Sequence, residues 1–126
     1  MINDPIADLF TRIRNACLVQ HSKVLVPYTK THERIVQILA QHGFIVNFHR
    51  YKQWLVLTLK YKKNQPVIVK LQRFSRPSCR LYVKTQQIPQ ICGKLGIVFL
   101  STSQGILSDR EAVHLNVGGE ILGFVA

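Results

Sequence analysis

Ser101-Thr102-Ser103-Gln104-Gly105-Ile106-Leu107-Ser108-Asp109-Arg110-Glu111 is the stretch on which the reading of this chain turns. Three hydroxyls in a row lead into a glycine. Ser108 stands three residues before Glu111, the spacing of a helix capping box. In that arrangement the Ser108 hydroxyl accepts from the Glu111 amide, and the Glu111 carboxylate accepts from the Ser108 amide. A helix is therefore expected to begin here, with Asp109 and Glu111 in its first turn, where the positive end of the helix dipole favours carboxylates. The hydroxyl run lies outside that helix, after the apolar strand Ile97 to Leu100. Such a run either closes turns by bonding its own backbone, or offers a ligand small groups that donate and accept beside an approachable glycine.

Working outward, the 126 residues amount to one compact domain or two small lobes sharing a core. A hydrophobic share of 47% argues for a folded protein. The formal net charge is +11, from 17 Lys and Arg against 6 Asp and Glu. No acidic residue stands between Glu33 and Asp109, whereas basic residues run through that interval from Arg34 to Lys94. A merely solvated surface mixes both signs, so a polyanionic partner is the better account. Three dispersed cysteines make neither a disulfide framework nor a zinc site, and suit a reducing compartment. The five histidines show no ligand spacing, so no metal or cofactor is expected. No apolar run is long enough to cross a bilayer, and the start has no signal or transit character, so the chain reads as complete or already processed.

Asp4 and Pro5 suit the N-cap and first position of a helix whose apolar face is Ile6, Leu9, Phe10, Ile13, Ala16 and Cys17. Arg12, Arg14 and Asn15 lie off that face. Val24 to Val26 reads as a strand ended by Pro27. A second helix starts near Thr29 or Thr31, buries Ile35, Ile38 and Leu39, and ends at Gly43. Phe44 to Arg50 and Trp54 to Tyr61 read as strands around a turn at Lys52. The basic stretch closed by Pro66 separates residues 1–62, helix-strand-helix-strand-strand, from residues 63–126. In the second part, Val67 to Phe74, Arg80 to Lys84, Ile97 to Leu100 and Glu120 to Val125 read as strands. A turn is expected at Arg76-Pro77-Ser78, a short helical turn from Ile88 to Lys94, and a flexible turn at Asn116-Val117-Gly118-Gly119. The fold class is α+β: two small lobes, the second a mostly antiparallel sheet with short helices and the hydroxyl loop.

Ser-Thr-Ser-Gln-Gly at 101–105, Ser108-Asp109-Arg110-Glu111-Ala112 and Gly118-Gly119-Glu120-Ile121-Leu122 together resemble the C-terminal signature of the small-subunit ribosomal protein eight family, of bacterial and organellar type. Asn3-Asp4-Pro5-Ile6-Ala7-Asp8, Thr11 to Ala16, Gly43-Phe44-Ile45, Leu71 to Pro77, Ile88-Pro89 and Leu95-Gly96-Ile97 agree, so the resemblance covers nearly the whole chain in order. It implies a protein that binds the central domain of small-subunit ribosomal RNA directly and early in assembly. It further implies that Ser101, Thr102, Ser103 and Gly105 read the RNA, with Gly118, Gly119, Glu120 and Tyr82 beside them. The first lobe would add backbone contacts through Asn3, Asp4, Arg12, Arg14, Asn15, Lys30 and Thr31. Ribosomal proteins five and seventeen are the implied neighbours.

The chemistry of the residues agrees with that target. A-form RNA shows 2′-hydroxyls and base edges in a wide minor groove, where short hydroxyls and glycine backbone can reach them. Arg73, Arg76 and Arg80 would supply salt-dependent phosphate affinity. Glu120 fits beside RNA if it accepts from a base amino group or holds a neighbouring cation. A catalytic triad of Ser101 or Ser103 with His114 and Asp109 lacks any nucleophile-elbow context; no small-molecule substrate is expected. A membrane-surface module would gather its cations on one amphipathic helix, and here they are dispersed. The alternative is a free-standing RNA-binding translational regulator using the same surface. Divergence at Val113-His114-Leu115 and at the C-terminus points to a plastid ribosome in the stroma, ahead of a mitochondrial matrix or bacterial cytoplasm.

Overall fold

The computed structural model describes residues 4–74, 80–89 and 96–126. The chain divides into two compact units, Ala7–Val69 and Met1–Ile6 with Lys70–Ala126. The division falls beyond the basic stretch that ends at Pro66, because that stretch folds back on its own unit. Lys63 and Asn64 stand at φ +52 and +63, a tight two-residue turn of positive φ. It pairs β4 (Tyr61–Lys62) with β5 (Gln65–Pro66), and Val67 then donates to the Lys60 carbonyl at 3.0 Å. The expected strand Val67 to Phe74 is corrected to three residues, β6 (Leu71–Arg73), flanked by backbone bonds between Lys70 and Ala126 and from the Phe74 amide to the Leu122 carbonyl.

In the Ala7–Val69 unit, α1 (Pro5–Leu18) buries Leu9, Phe10, Ile13, Ala16 and Cys17, the face its spacing indicates. β1 (Lys23–Pro27), β2 (Ile45–Tyr51) and β3 (Trp54–Leu59) form an antiparallel sheet in the order β1-β3-β2. α2 (Lys30–Gln41) is set by Thr29, whose side chain accepts from the His32 amide at 3.0 Å. His32 itself is buried and donates from Nδ1 to the Pro27 carbonyl at 2.9 Å, joining the end of β1 to the start of α2. At the other end, the His42 amide returns to the Ile38 carbonyl and the Gly43 amide to the Ala40 carbonyl, and Gly43 takes φ +77, a conformation that favours glycine. Val26, Leu55, Leu57 and Leu59 alternate inward along β1 and β3. Burial pushes the Cys17 thiol up, toward its neutral form, which makes it an inert core thiol.

The second unit is built on a sheet ordered β6-β10-β8-β9, from β8 (Ile97–Thr102), β9 (Gly105–Ser108) and β10 (Gly119–Val125), with β7 (Tyr82–Val83) also paired to β10. Ile97 to Leu100 and Glu120 to Val125 are buried at every position, so β8 and β10 are enclosed on both faces. Their pairing carries a register shift between Ile121 and Gly123, with Leu122 as the extra residue. The shift exchanges the faces of β10. Ile121 and Phe124, an odd number of residues apart, therefore share one cluster with Val98, Leu100, Leu107 and Ala112. The Leu122 carbonyl is not lost to the ladder: it accepts from the Phe74 amide at 2.9 Å and from Arg73 Nη1 at 2.7 Å.

α3 (Asp109–Leu115) closes this cluster with Ala112, and the capping box expected at its start is present in both directions. The Glu111 amide donates to Ser108 Oγ at 3.2 Å, and the Ser108 amide donates to Glu111 Oε1 at 3.2 Å. Asn116 ends the helix in the left-handed region at φ 56, and its amide and that of Val117 return to Val113 and Ala112. A 3-10 turn lies at Thr85–Gln87. The expected turn at Arg76-Pro77-Ser78 and most of the helical turn from Ile88 to Lys94 lie outside the described residues. The Arg80 to Lys84 strand is shortened to Tyr82–Val83.

Ser108 is fully buried, so its hydroxyl has no water to replace the Glu111 amide. Ser108→Ala is expected to lower stability by about 1–2 kcal/mol, the range of a lost N-cap, read as a shifted urea midpoint at unchanged slope.

Candidate nucleic-acid interface

The hydroxyl run is not a loop leading into a helix. It is the tip of a hairpin, a correction to the expectation above: β8 continues through Ser101 and Thr102, turns at Ser103-Gln104, and returns as β9. Thr102 faces Gly105 in register, and Ser101 faces Ile106. Neither Ser103 nor Gln104 has positive φ, whereas Gly105 takes φ +101. A Cβ at Gly105 would meet nothing within 4 Å, so the glycine serves backbone conformation and not space. The sequence signal for this hairpin was present: a glycine-containing turn between the apolar runs 97–100 and 106–107.

The three hydroxyls then have different duties. Thr102 Oγ1 donates to the Gly105 carbonyl at 2.8 Å and accepts from the Gln104 amide at 3.1 Å. It holds the turn, the bland role of such residues. Ser103 is exposed at the tip, and Ser101 is half-buried one strand position back.

Across the sheet, residues that pair directly point to one face. Tyr82 faces Glu120, Glu120 faces Ser101, and Ser101 faces Ile106. The next row, Ile121, Leu100 and Leu107, points the other way into the α3 cluster. Tyr82, Glu120 and Ser101 thus lie in one line leading to the hairpin tip. Glu120 is 9% exposed and stands 3.7 Å from Nη1 of the exposed Arg80. That separation is long for an ion pair, and its contribution to stability is small. It does place a cation beside the one acid of the row.

The turn expected over Asn116 to Gly119 is made at Asn116 and Val117, and the expectation is corrected at Gly118 and Gly119, which are not flexible turn residues. Neither has positive φ. A Cβ on Gly118 would stand 2.4 Å from the Val83 carbonyl oxygen, and one on Gly119 would stand 2.2 Å from the Ser101 carbonyl oxygen. Both clashes are with backbone, which cannot swing aside. The glycines are needed because β10 enters between β7 and β8 at close range, and that approach sets where Ser101 and Glu120 stand.

The remaining expected contacts divide sharply. Arg73 is committed inside its unit: Nε reaches the Asp4 carboxylate at 3.1 and 3.4 Å, Nη1 holds the Leu122 carbonyl, and the side chain is 14% exposed. Asp4 is correspondingly a partner of Arg73. In the other unit, Arg12 binds Asp8 at 2.9 Å and the Leu25 carbonyl at 3.4 Å, while Arg14 binds Thr11 at 3.0 Å. Asn15, Lys30 and Thr31 are exposed, the last two on the first turn of α2. Asn3 and Arg76 lie outside the described residues. Among the described residues, no helix is long and apolar enough to cross a membrane, and no three His, Cys, Asp or Glu residues gather to hold a metal.

A family model described as ribosomal protein S8 matches residues 4–126. The chain belongs to the ribosomal protein S8 family. Its similar relatives include the small ribosomal subunit protein uS8 of Crocosphaera subtropica, 47% identical over 98% of this chain and 97% of the relative. The uS8c proteins of Tetradesmus obliquus and Rhodomonas salina are 48% and 44% identical, over 97% and 99% of both chains respectively. Cyanobacterial and chloroplast-type members of the family thus stand at comparable distance. Within the S8 frame, the quoted signature residues are the hairpin, the capping box and the close-approach glycines, three parts of one sheet.

Gly119→Ala is expected to destabilise the protein by about 2–4 kcal/mol, as a backbone clash inside a closed sheet, measured by urea titration. Arg73→Ala and Arg80→Ala should separate. The first lowers stability by roughly 1–3 kcal/mol by stripping the Leu122 carbonyl and Asp4 of a partner. The second stays within about 0.5 kcal/mol of wild type.

Proposed function

We propose that this member of the small ribosomal subunit binds the central domain of small-subunit ribosomal RNA directly, early in assembly, through the β8–β9 hairpin. The observation that carries the reading is the division of labour at its tip. Thr102 spends its hydroxyl on closing the turn, and that leaves Ser103 presented to solvent at the end of the line Tyr82, Glu120, Ser101. A rigid hairpin ending in a small donor-acceptor group suits the shallow minor groove or a bulge, where 2′-hydroxyls and base edges are within short reach. Tyr82, exposed on the same row, adds a ring that can stack on a base.

Glu120 accepts from a base amino group in this proposal, with Arg80 beside it to reach phosphate and offset the charge. Gly118 and Gly119 keep the backbone under Ser101 in place. Arg12, Arg14, Asn15, Lys30 and Thr31 supply phosphate and sugar contacts from the other unit, which strengthen binding without reading sequence. Asn3, Asp4, Arg73 and Arg76 belong to the proposed RNA surface as well, Asp4 and Arg73 by holding the Leu122 bulge. Ribosomal proteins five and seventeen are the neighbours this reading assigns, and a plastid ribosome is the compartment.

The test is binding to a central-domain RNA fragment at two salt concentrations. Ser103→Ala is expected to weaken binding about fivefold or more with the melting temperature unchanged, the loss of one hydrogen bond to RNA. Thr102→Val is expected to lower both affinity and melting temperature, because it removes the turn closure. Equal binding of Ser103→Ala and wild type, with no preference for the central-domain fragment, would sink the proposal.

A further inference from the structure

The sheet of the Ala7–Val69 unit has a face that the hairpin reading leaves unused. β3 alternates, so Leu55, Leu57 and Leu59 are buried on one side while Trp54, Val56 and Thr58 point to the other. The register adds Tyr51 and Pro27 beside Trp54, and His49 and Leu25 beside Val56. Lys23 and Asn47 flank Thr58. Tyr51 is 59% exposed and Trp54 is 41% exposed, directly opposite one another across the Lys52-Gln53 turn. Lys52 Nζ stands 5.4 Å from the centre of the Tyr51 ring. On the other face at the same end of the sheet, where Arg50 pairs with the inward Leu55, the Arg50 guanidinium lies 3.7 Å over the Tyr28 ring, with its Nε donating to the Lys52 carbonyl at 2.9 Å.

The charges around these rings have one sign. β2, β3 and their turn contain no carboxylate, and no acidic residue occurs between Glu33 and Asp109. Exposed aromatic rings beside Lys and His, with no acid, are the ingredients of a platform for unpaired bases. Each base offers a π-face to a ring, and the cations take the phosphates. Lys52 borders the Tyr51 ring, and Lys23 adds a second cation on the same face beside Thr58.

We propose that Tyr51 and Trp54, with Lys52 and His49 around them, form a second RNA contact that stacks single-stranded nucleotides without reading their sequence. The proposal takes from the functional reading above only that the partner is RNA. It needs neither the hairpin nor the central domain.

Trp54 is the only tryptophan of the chain, so its fluorescence reports this face alone. The full-length protein is titrated at low salt with a single-stranded oligouridine of about 12 nucleotides, within the site sizes such platforms cover, and with a blunt RNA duplex of the same length. Saturable quenching by the single strand is expected, with little by the duplex. Tyr51→Ala should weaken single-strand binding by about tenfold, since one stacked base is lost, with the circular dichroism spectrum retained because the ring lies outside the core. Ser103→Ala should leave the quenching unchanged. No quenching by the single strand, which would assign the face to a partner protein, overturns the proposal. So does equal quenching by the duplex, or a Tyr51→Ala affinity within twofold of wild type. If Ser103→Ala binds the central-domain fragment normally while quenching persists, the hairpin reading fails and the platform stands.

Discussion

The close approach of β10 to its two neighbours is the constraint on which the second unit depends. Between Val83 and Ser101 there is no room for a Cβ at Gly118 or Gly119. With side chains there, β10 would stand off from β8, and Glu120 would lose its register against Ser101. The same strand is then shifted by the extra residue Leu122, so that both Ile121 and Phe124 reach the α3 cluster. The clearance and the bulge together turn one strand into both the roof of a core and the floor of a surface. Side chains cannot supply this, because the contacts that set it are backbone on backbone.

The position of Arg73 follows from that bulge. A displaced Leu122 carbonyl inside a protein carries an unmet acceptor unless something reaches it. Phe74 and Arg73 do, and Arg73 in turn holds Asp4. An arginine in a basic stretch reads from sequence as a phosphate ligand. Here its burial and its donors assign it first to the fold. Arg80, two residues before β7 and mostly exposed, stands near Glu120. Composition alone could not tell these two apart, since both are arginines in an acid-free span.

What was legible in the sequence was local. The Ser108–Glu111 box, the Gly43 ending and the apolar faces of α1 and α2 are decided by residues within one or two helical turns and stand where their patterns indicate, and of the two threonines offered for the start of α2 it is Thr29 that caps it. What was not legible depended on distant partners. The reason for Gly118-Gly119 lies at Val83 and Ser101. The loss of most of the Val67 to Phe74 strand follows from two residues, Lys63 and Asn64, that take positive φ without being glycine. The hairpin at Ser103-Gln104 was in between: its turn signal was local, but the capping box that follows drew the whole run toward the helix.

In the proposed function, the hydroxyl run divides turn formation and recognition between two residues. A serine or threonine cannot at once lock a turn with its proton and keep that proton for a partner. Thr102 does the first, and its methyl-bearing carbon suits a strand end. Ser103, unbranched and at the tip, is free of that duty in the turn geometry. Rigidity matters as much as chemistry here. A hydroxyl on a loose loop would lose on ordering much of the roughly 1 kcal/mol that a hydrogen bond yields, whereas in the proposed function a hairpin closed by Thr102, floored by Gly119 and followed through Ser108 by α3 would meet RNA already ordered. The fold of the second unit can therefore be understood as what it takes to hold one short turn still.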